Sequence, residues 1–519
     1  MSHLQLTRRR ILQGAATAGV ATLAPRFTAV AAMDDTLRVS SLYDLQVLDP
    51  AFHLSAPETN IADLLFHHLI VFKGSDDTSW ELDGAKSIEQ VDDTHIAFKL
   101  KPGLKWSGDF GAVTAEDVKY SFERIIDAAL ESPYAGDWAA LDHVEVSDEL
   151  SGVIVLKEYS ATLWTIPLPN NAGAIVCKKA VEALPDRKFT TEVPASSGRY
   201  VLKEWTPKQR TVLEANPNWS GDPLPFKQIV IVPIEDAAAA EIAYEAGDLD
   251  FTRITLNALA LYRQDGAPAG SKILEMPSLS YVWLGMNVEN PALADVRVRQ
   301  AIRRAVDVQG AVDAAYFGVA DRATGIVAPS LIGHRKVEPM ARDVAAANAL
   351  LAEAGVSSLS LTIEVSLETE FKTIAQVVQA SLAEAGIDLV INERDSGTFN
   401  TLGDRAANPN WKDVQLILNR FAMSPDPSYA TEWFTPEQVG VWNWEGFNSP
   451  EFGELHVKAK AEKDPAKRAQ MYERMQQLME ESGAYIFLTH ERVAYIHRDT
   501  LAVGLNPAGE PMYRLFRPA

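Results

Sequence analysis

Residues 81–125 read ELDGAKSIEQVDDTHIAFKLKPGLKWSGDFGAVTAEDVKYSFERI. They pass from strand to turn to helix with each boundary marked. THIAFKLKPG (94–103) reads as a strand closed by the Pro102-Gly103 turn. Thr114 followed by Asp117 is a capping box, which supplies acceptors to the free N–H groups of a helix start. Val118, Phe122, Ile125 and Ile126 then fall on one face, so the spacing predicts a helix through VTAEDVKYSFERIIDA.

Working outward, TLRVSS (36–41) alternates and predicts a strand, and ETNIADLLFHHLIVF (58–72) has helical spacing. Residues 199–219 predict two strands joined at Pro207-Lys208. FKQIVIVPIED predicts a buried strand, and AAAAEIAYEAGDLDF a helix ending near Gly247. Helices are expected over 295–307 and 343–355, the second stopped by Gly355. LSLTIEVS, FKTIAQVVQASLAEAG and IDLVINER form strand–helix–strand, so those strands should be parallel with a right-handed crossover. DPAKRAQMYERMQQLMEES (464–482) predicts a long helix whose Met and Leu positions face a core. The chain reads as α/β with mixed sheets.

The first 32 residues read differently. Arg8, Arg9 and Arg10 precede an apolar stretch of about fifteen residues, short of the ~20 that span a bilayer. Ala29-Val30-Ala31 is a small-residue cleavage site, and Val30-Ala31-Ala32 moves the cut by one. This is an export signal, and Thr7-Arg8-Arg9-Arg10-Ile11-Leu12 resembles the twin-arginine type that exports folded proteins to the periplasm. Its removal takes four of the 48 basic residues and none of the 70 acids, leaving a net charge of −26. Such a chain repels nucleic acid and anionic lipid. Cys177 is the single cysteine, so no internal disulfide forms; GAIVCKK reads as a buried strand in which it is a small hydrophobe. The 487 residues after the signal suggest two to four domains.

Motifs of chemistry are absent. There is no HExxH, CxxC, GxSxG or GxxxxGK[ST]. His67 and His68 are adjacent and would diverge by about 100° on a helix, so they are poor co-ligands, and no metal or cofactor is expected. Aromatic residues in turn-rich segments stand out instead. SYVWLGMN carries Tyr281 and Trp283, NRFAMSPDPSYATEWF carries Phe421, Tyr429, Trp433 and Phe434, and GVWNWEGFN carries Trp442 and Trp444. In an extended segment the last two would send both indoles to one face. Clustered rings in loops point to a ligand cleft.

The 81–125 stretch resembles the signature of the family 5 solute-binding proteins of ABC importers, the dipeptide-, oligopeptide- and nickel-binding proteins. Thr94, Phe98, Gly103, Trp106, Thr114, Ala115, Asp117 and Val118 match its pattern. Leu48-Asp49-Pro50, NPNWSGDPLPFKQIVI, GDLDF, DVRVRQAI and LLAEAG match in order, and Ser197-Gly198-Arg199-Tyr200 sits where the family has TGPY, with Arg199 in place of its proline. The resemblance runs from about residue 36 to the end. It implies a type II periplasmic-binding-protein clamshell with an additional domain (cluster C). Lobe I would comprise 34–80, 193–285 and 490–519, the extra domain 81–192, and the opposing lobe 286–489. It further implies a monomer that takes a small solute between its lobes and hands it to a membrane permease, not an enzyme.

In the family's peptide binders, a carboxylate shortly before an Asp-Pro pairs with the ligand's ammonium. Here Asp426-Pro427 is that Asp-Pro, and Met423 falls at the carboxylate's position, with Asp426 the alternative. That favours peptide derivatives, opine-like compounds, modified sugars or other polar solutes over ordinary dipeptides. The expected cleft lining is Tyr43, Tyr281, Trp283, Arg420, Phe421, Met423, Trp442 and Trp444, with Arg420 available either to a ligand carboxylate or phosphate or to a surface acid. An exported enzyme, or a sensor that reports ligand to a membrane receptor, remains the alternative.

Overall fold

Two long strands, Ser271–Met286 and Tyr485–Arg498, lie antiparallel in the middle of a ten-stranded mixed sheet. The computed structural model describes residues 35–53, 55–74 and 78–519; the export signal read from residues 1–32 lies outside them. On one side of the long pair come Leu416–Ala422, Leu359–Ser366 and Ile387–Arg394. On the other come Phe251–Arg253, Thr36–Ser41, Gln228–Pro233, Arg210–Ala215 and Tyr200–Thr206. Leu359–Ser366 and Ile387–Arg394 pair in parallel across the helix Thr369–Ala383, as the strand–helix–strand spacing predicts.

The long pair is interrupted once on a large scale. Pro277 faces Arg492, but the next facing pair is Tyr281 with His490. Four steps on one strand match two on the other, so the ladder bulges between them. Helices Val296–Ala305, Val308–Ala315 and Thr369–Ala383 bury their apolar faces against the 359–422 side of the sheet.

A separate four-stranded antiparallel sheet is drawn from one segment of chain, in the order Ala85–Gln90, His95–Leu100, Ser151–Leu156, Leu141–Val146. The helix Ala115–Ile126 packs against Leu141–Val146. Its capping box forms as the sequence indicates, with the Asp117 carboxylate accepting from the Thr114 N–H at 2.9 Å. Further along, Arg124 makes two bonds to Asp49, 3.0 and 2.9 Å, and both residues are buried. This ties the helix to the Leu48-Asp49-Pro50 turn.

Two local readings are corrected. The helical spacing of 58–72 continues only to Leu65 in the helix Ala56–Leu65; Ile70–Phe72 is a strand paired with Trp80–Leu82. The segment between is held open because Leu65 C=O accepts from the Ser197 and Gly198 N–H groups. GAIVCKK is not a strand. Cys177 is buried and free, and it stands immediately before the short helix Lys178–Glu182. Among the described residues, no helix is long and apolar enough to cross a membrane.

The Asp49–Arg124 pair is a sharp test of this packing. Asp49→Ala leaves a guanidinium buried without its anion, so its stability in urea should fall by ~3–5 kcal/mol. Adding Arg124→Met should recover more than half of that loss; purely additive losses would refute the coupling.

Candidate functional site

The register of the central strands brings most of the expected aromatic residues together. Tyr281 faces Phe421 across the sheet, and Trp283 lies two residues further on the same face. Tyr281 and Trp283 stack with centroids 5.1 Å apart, and Phe421 meets Trp283 edge-on at 4.9 Å. From Phe421 the contacts continue outward to Trp433 at 6.0 Å and Trp442 at 6.1 Å, which meet each other at 5.7 Å. Tyr281 and Trp283 are fully buried at the inner end, whereas Trp442 is 42% exposed at the outer end. Met423 is buried in the same cluster. Offset and edge-on pairs of this kind gain from the ring quadrupoles as well as from burial.

Beneath the inner rings sits Glu445, buried, with the Trp283 indole N–H donating to its carboxylate at 2.8 Å. Burial pushes this carboxyl up to about 7, against the opposing pull of the indole bond. Gly285 makes room for it: a Cβ there would run into the carboxylate.

The other expected residues lie elsewhere. Trp442 and Trp444 do not share a face. The N–H groups of Val441, Trp442 and Asn443 all return to the Gln438 carbonyl, so the segment is a tight turn rather than an extended strand. Trp444 is thereby turned into a different cluster with Phe399, Leu402, Val414 and Ile417. Arg420 points away from the ring ladder and is held by Glu368 at 2.9 Å and Glu491 at 3.1 Å. Tyr43 is exposed and lines a separate cavity.

Asp426 is fully committed to structure. It caps the helix Pro427–Glu432 through the Ser428 N–H at 2.9 Å. It accepts two bonds from Arg468, 2.7 and 2.8 Å, and one from the Thr165 hydroxyl at 2.9 Å. No acceptor capacity is left over for an ammonium guest.

Next to the ladder opens a cavity of about 460 Å³, within the range of small-molecule sites. One wall is Pro133–Asp137 and Glu158–Thr162; the other is Tyr429, Glu432 and Trp433 with His456 and Lys460. Tyr429 and Trp433 meet edge-on at 5.7 Å, so this wall continues the aromatic ladder. Three acids, Asp137, Glu158 and Glu432, face a single lysine. Burial, aided by the Glu432 charge, raises Asp137 to about 6. Burial lowers His456 to about 4, so the imidazole is neutral, with Nδ1 2.9 Å from the Thr431 hydroxyl. No single motif marks Asp137, Glu432 or Tyr159 in sequence; they come from segments that only the folded chain brings together. Among the described residues, no cluster of His, Cys, Asp and Glu is arranged to hold a metal ion.

Two substitutions separate core from wall. Trp283→Ala should cost ~3–5 kcal/mol in stability, as for a buried aromatic, while Trp442→Ala should leave the unfolding midpoint nearly unchanged. Glu445 gives a pH signature. The folded chain keeps a proton that the unfolded chain releases near 4.5, so stability present below that pH is lost as pH rises to about 7. The loss is on the order of 3 kcal/mol, and Glu445→Gln should abolish it. A wild-type stability that is flat between pH 5 and 8, relative to the Gln variant, would refute this, pH being about those values by the same linkage.

Comparisons with known proteins accord with this geometry. The family model described as "Bacterial extracellular solute-binding proteins, family 5 Middle" matches residues 80–440. A Brucella ovis protein named for peptide binding in an ABC transporter is 26% identical over 404 residues, 75% of each chain. The structure of HbpA2 from Haemophilus parasuis superposes with a TM-score of 0.82 at 21% identity, covering 93% of this chain and all of that one. MoaA of A. tumefaciens R10, solved with mannopinic acid, superposes at 0.72 with 25% identity, covering 93% of this chain and 99% of that one. The fold is thus that of the type II periplasmic binding proteins.

Proposed function

The chain belongs to the family 5 bacterial extracellular solute-binding proteins, and we propose that it captures a peptide or peptide-like polar solute in its 460 Å³ aromatic cavity for an ABC importer. The observation that carries this is the cavity itself. Its walls come from residues 133–162 and 428–461, distant in sequence, with Tyr159 on one, Tyr429 and Trp433 on the other, and an excess of carboxylates around them. Rings supply rigid contact area, and acids select a solute that carries positive charge, such as a peptide ammonium. The Brucella relative's name supports a peptide, and the bound mannopinic acid of MoaA supports a peptide-like acid as the other member of the class.

In this reading the walls belong to different bodies. Residues 81–192 form the extra domain and 286–489 the opposing lobe, with lobe I made from 34–80, 193–285 and 490–519. The solute favours the closed form only by its differential affinity for it. The closed monomer docks on the permease in the inner membrane, and the twin-arginine signal of residues 1–32 delivers it to the periplasm. Since Met423 offers no charge and Asp426 is saturated by Arg468, the amine partner moves to Asp137 and Glu432 across the cavity.

Mass spectrometry of solute released from the purified chain identifies the guest. Rebinding of that solute, followed by calorimetry, should be weakened by ~2 kcal/mol in Trp433→Ala at an unchanged melting temperature. Full affinity in both Trp433→Ala and Trp442→Ala would sink the aromatic-cavity reading. For a cationic probe such as trialanine, Asp137 must be ionised to pair. Affinity should therefore fall about tenfold one pH unit below its pKa of about 6, and Asp137→Asn should remove that dependence.

A further inference from the structure

A second cavity, of about 120 Å³, lies at the carboxyl ends of three parallel strands, Thr36–Ser41, Gln228–Pro233 and Phe251–Arg253. Crevices at the carboxyl ends of parallel strands are where open α/β sheets bind ligands. Its polar lining includes Arg253, Glu510, Asn60 and Tyr43, beside Ser40 and Ser41 and the rings of Tyr495 and Tyr513. The charges are arranged unusually. Among the described residues, neither the Arg253 nor the Glu510 side chain has a hydrogen-bond or ion-pair partner. They do not meet each other, although the Arg253 charge offsets part of the cost of burying Glu510. Asn60 is buried, and its amide likewise has no partner. Two fully buried couples elsewhere close into direct pairs, Arg124 with Asp49 and Arg468 with Asp426. A half-buried opposite-charge couple held apart across a partly apolar space is matched by a guest that carries both complementary charges.

We propose that this cavity binds an α-aminocarboxylate group, its ammonium on Glu510 and its carboxylate on Arg253. Asn60 supplies the remaining donor and acceptor, and Tyr43 covers the mouth. The group is either a free amino acid or the end of a larger solute. The inference extends the solute-capture reading but does not depend on the aromatic cavity, since the two linings share no residue.

Calorimetry and thermal shift with four probes test it: L-alanine, alaninamide, N-acetylalanine and γ-glutamylalanine. Alanine or γ-glutamylalanine should bind, and the two blocked derivatives, each lacking one charge, should bind at least about tenfold more weakly. Alanine binding alone identifies a free amino acid; preference for γ-glutamylalanine identifies the end group of a longer solute. Arg253→Gln and Glu510→Gln should each weaken the binding probe about tenfold or more, whereas Trp433→Ala should leave it within about twofold. The probe series on the unsubstituted chain stands even if a variant misfolds. Failure of both head-bearing probes at millimolar concentration overturns the proposal. So does equal binding of the blocked derivatives, or loss of binding in Trp433→Ala, which would place the probe in the aromatic cavity instead.

Discussion

The antiparallel pairing of Ser271–Met286 with Tyr485–Arg498 is the constraint on which the rest of this molecule depends. A strand of sixteen residues reaches roughly 50 Å, far enough to belong to two bodies at once. Its lower half pairs only with Tyr485–Arg498, near the Thr36–Ser41 side of the sheet; its upper half also pairs with Leu416–Ala422. The two-residue mismatch between Pro277 and Tyr281 falls between these halves. A bulge disrupts the ladder locally and bends it, so this is where the proposed lobes would rotate with least loss of hydrogen bonding. Tyr281 and Trp283 follow the bulge directly, which places the root of the aromatic ladder at this irregularity of the sheet.

Buried charge then fixes the pieces around that axis. Asp49 and Arg124 join the Leu48-Asp49-Pro50 turn to the helix of the 81–125 stretch. The Asn216 amide donates to the Gly198 carbonyl at 2.7 Å and the Asn218 amide to the Trp106 carbonyl at 2.8 Å. The segments that carry the family resemblance are therefore bonded to one another. They are bonded because each contributes a polar group that has no other way to be satisfied once buried. Gly198 belongs to this set for a steric reason: a Cβ there would strike the Leu64 carbonyl. Arg199, which departs from the family's proline, lays its guanidinium over the Trp219 ring at 4.7 Å and so keeps the same turn in place.

Local structure was legible wherever the cause is local. The Thr114–Asp117 cap, the Gly247 and Gly355 stops, both with positive φ, and the parallel pair flanking Thr369–Ala383 follow from side-chain spacing and backbone freedom. What could not be read depends on distant partners. The helix expected over 58–72 ends early because Ser197 and Gly198 bond Leu65, more than a hundred residues away. Trp442 and Trp444 diverge because Gln438 gathers three N–H groups into a turn, a choice that alternation of side chains does not encode. In the candidate site, Trp283, Phe421 and Trp442 were legible as aromatics in loops and strands. Asp137 and Glu432 were not, in a chain with 70 acids, because only the folded chain sets them opposite each other.

The distribution of charge between the cavity walls also bears on the opening that the proposed capture requires. Thr165 donates to Asp426, and Lys463 pairs with Asp93, each joining the 81–192 segment to the C-terminal third of the chain. Neither contact strands a charge when broken. Asp426 keeps both bonds from Arg468 and its helix cap, so loss of Thr165 costs one neutral donor among several. Lys463 and Asp93 are both well exposed, and such pairs contribute little because water solvates the separated ions almost as well. Had the amine clamp been built on Asp426, opening would expose an acid that the core needs paired with Arg468. On the proposed reading, placing the acids that face the guest on Asp137 and Glu432 would separate the two roles: the core pair holds the helix Pro427–Glu432 in place, while the cavity acids, set against Lys460 alone, would gain a further counter-charge from the guest.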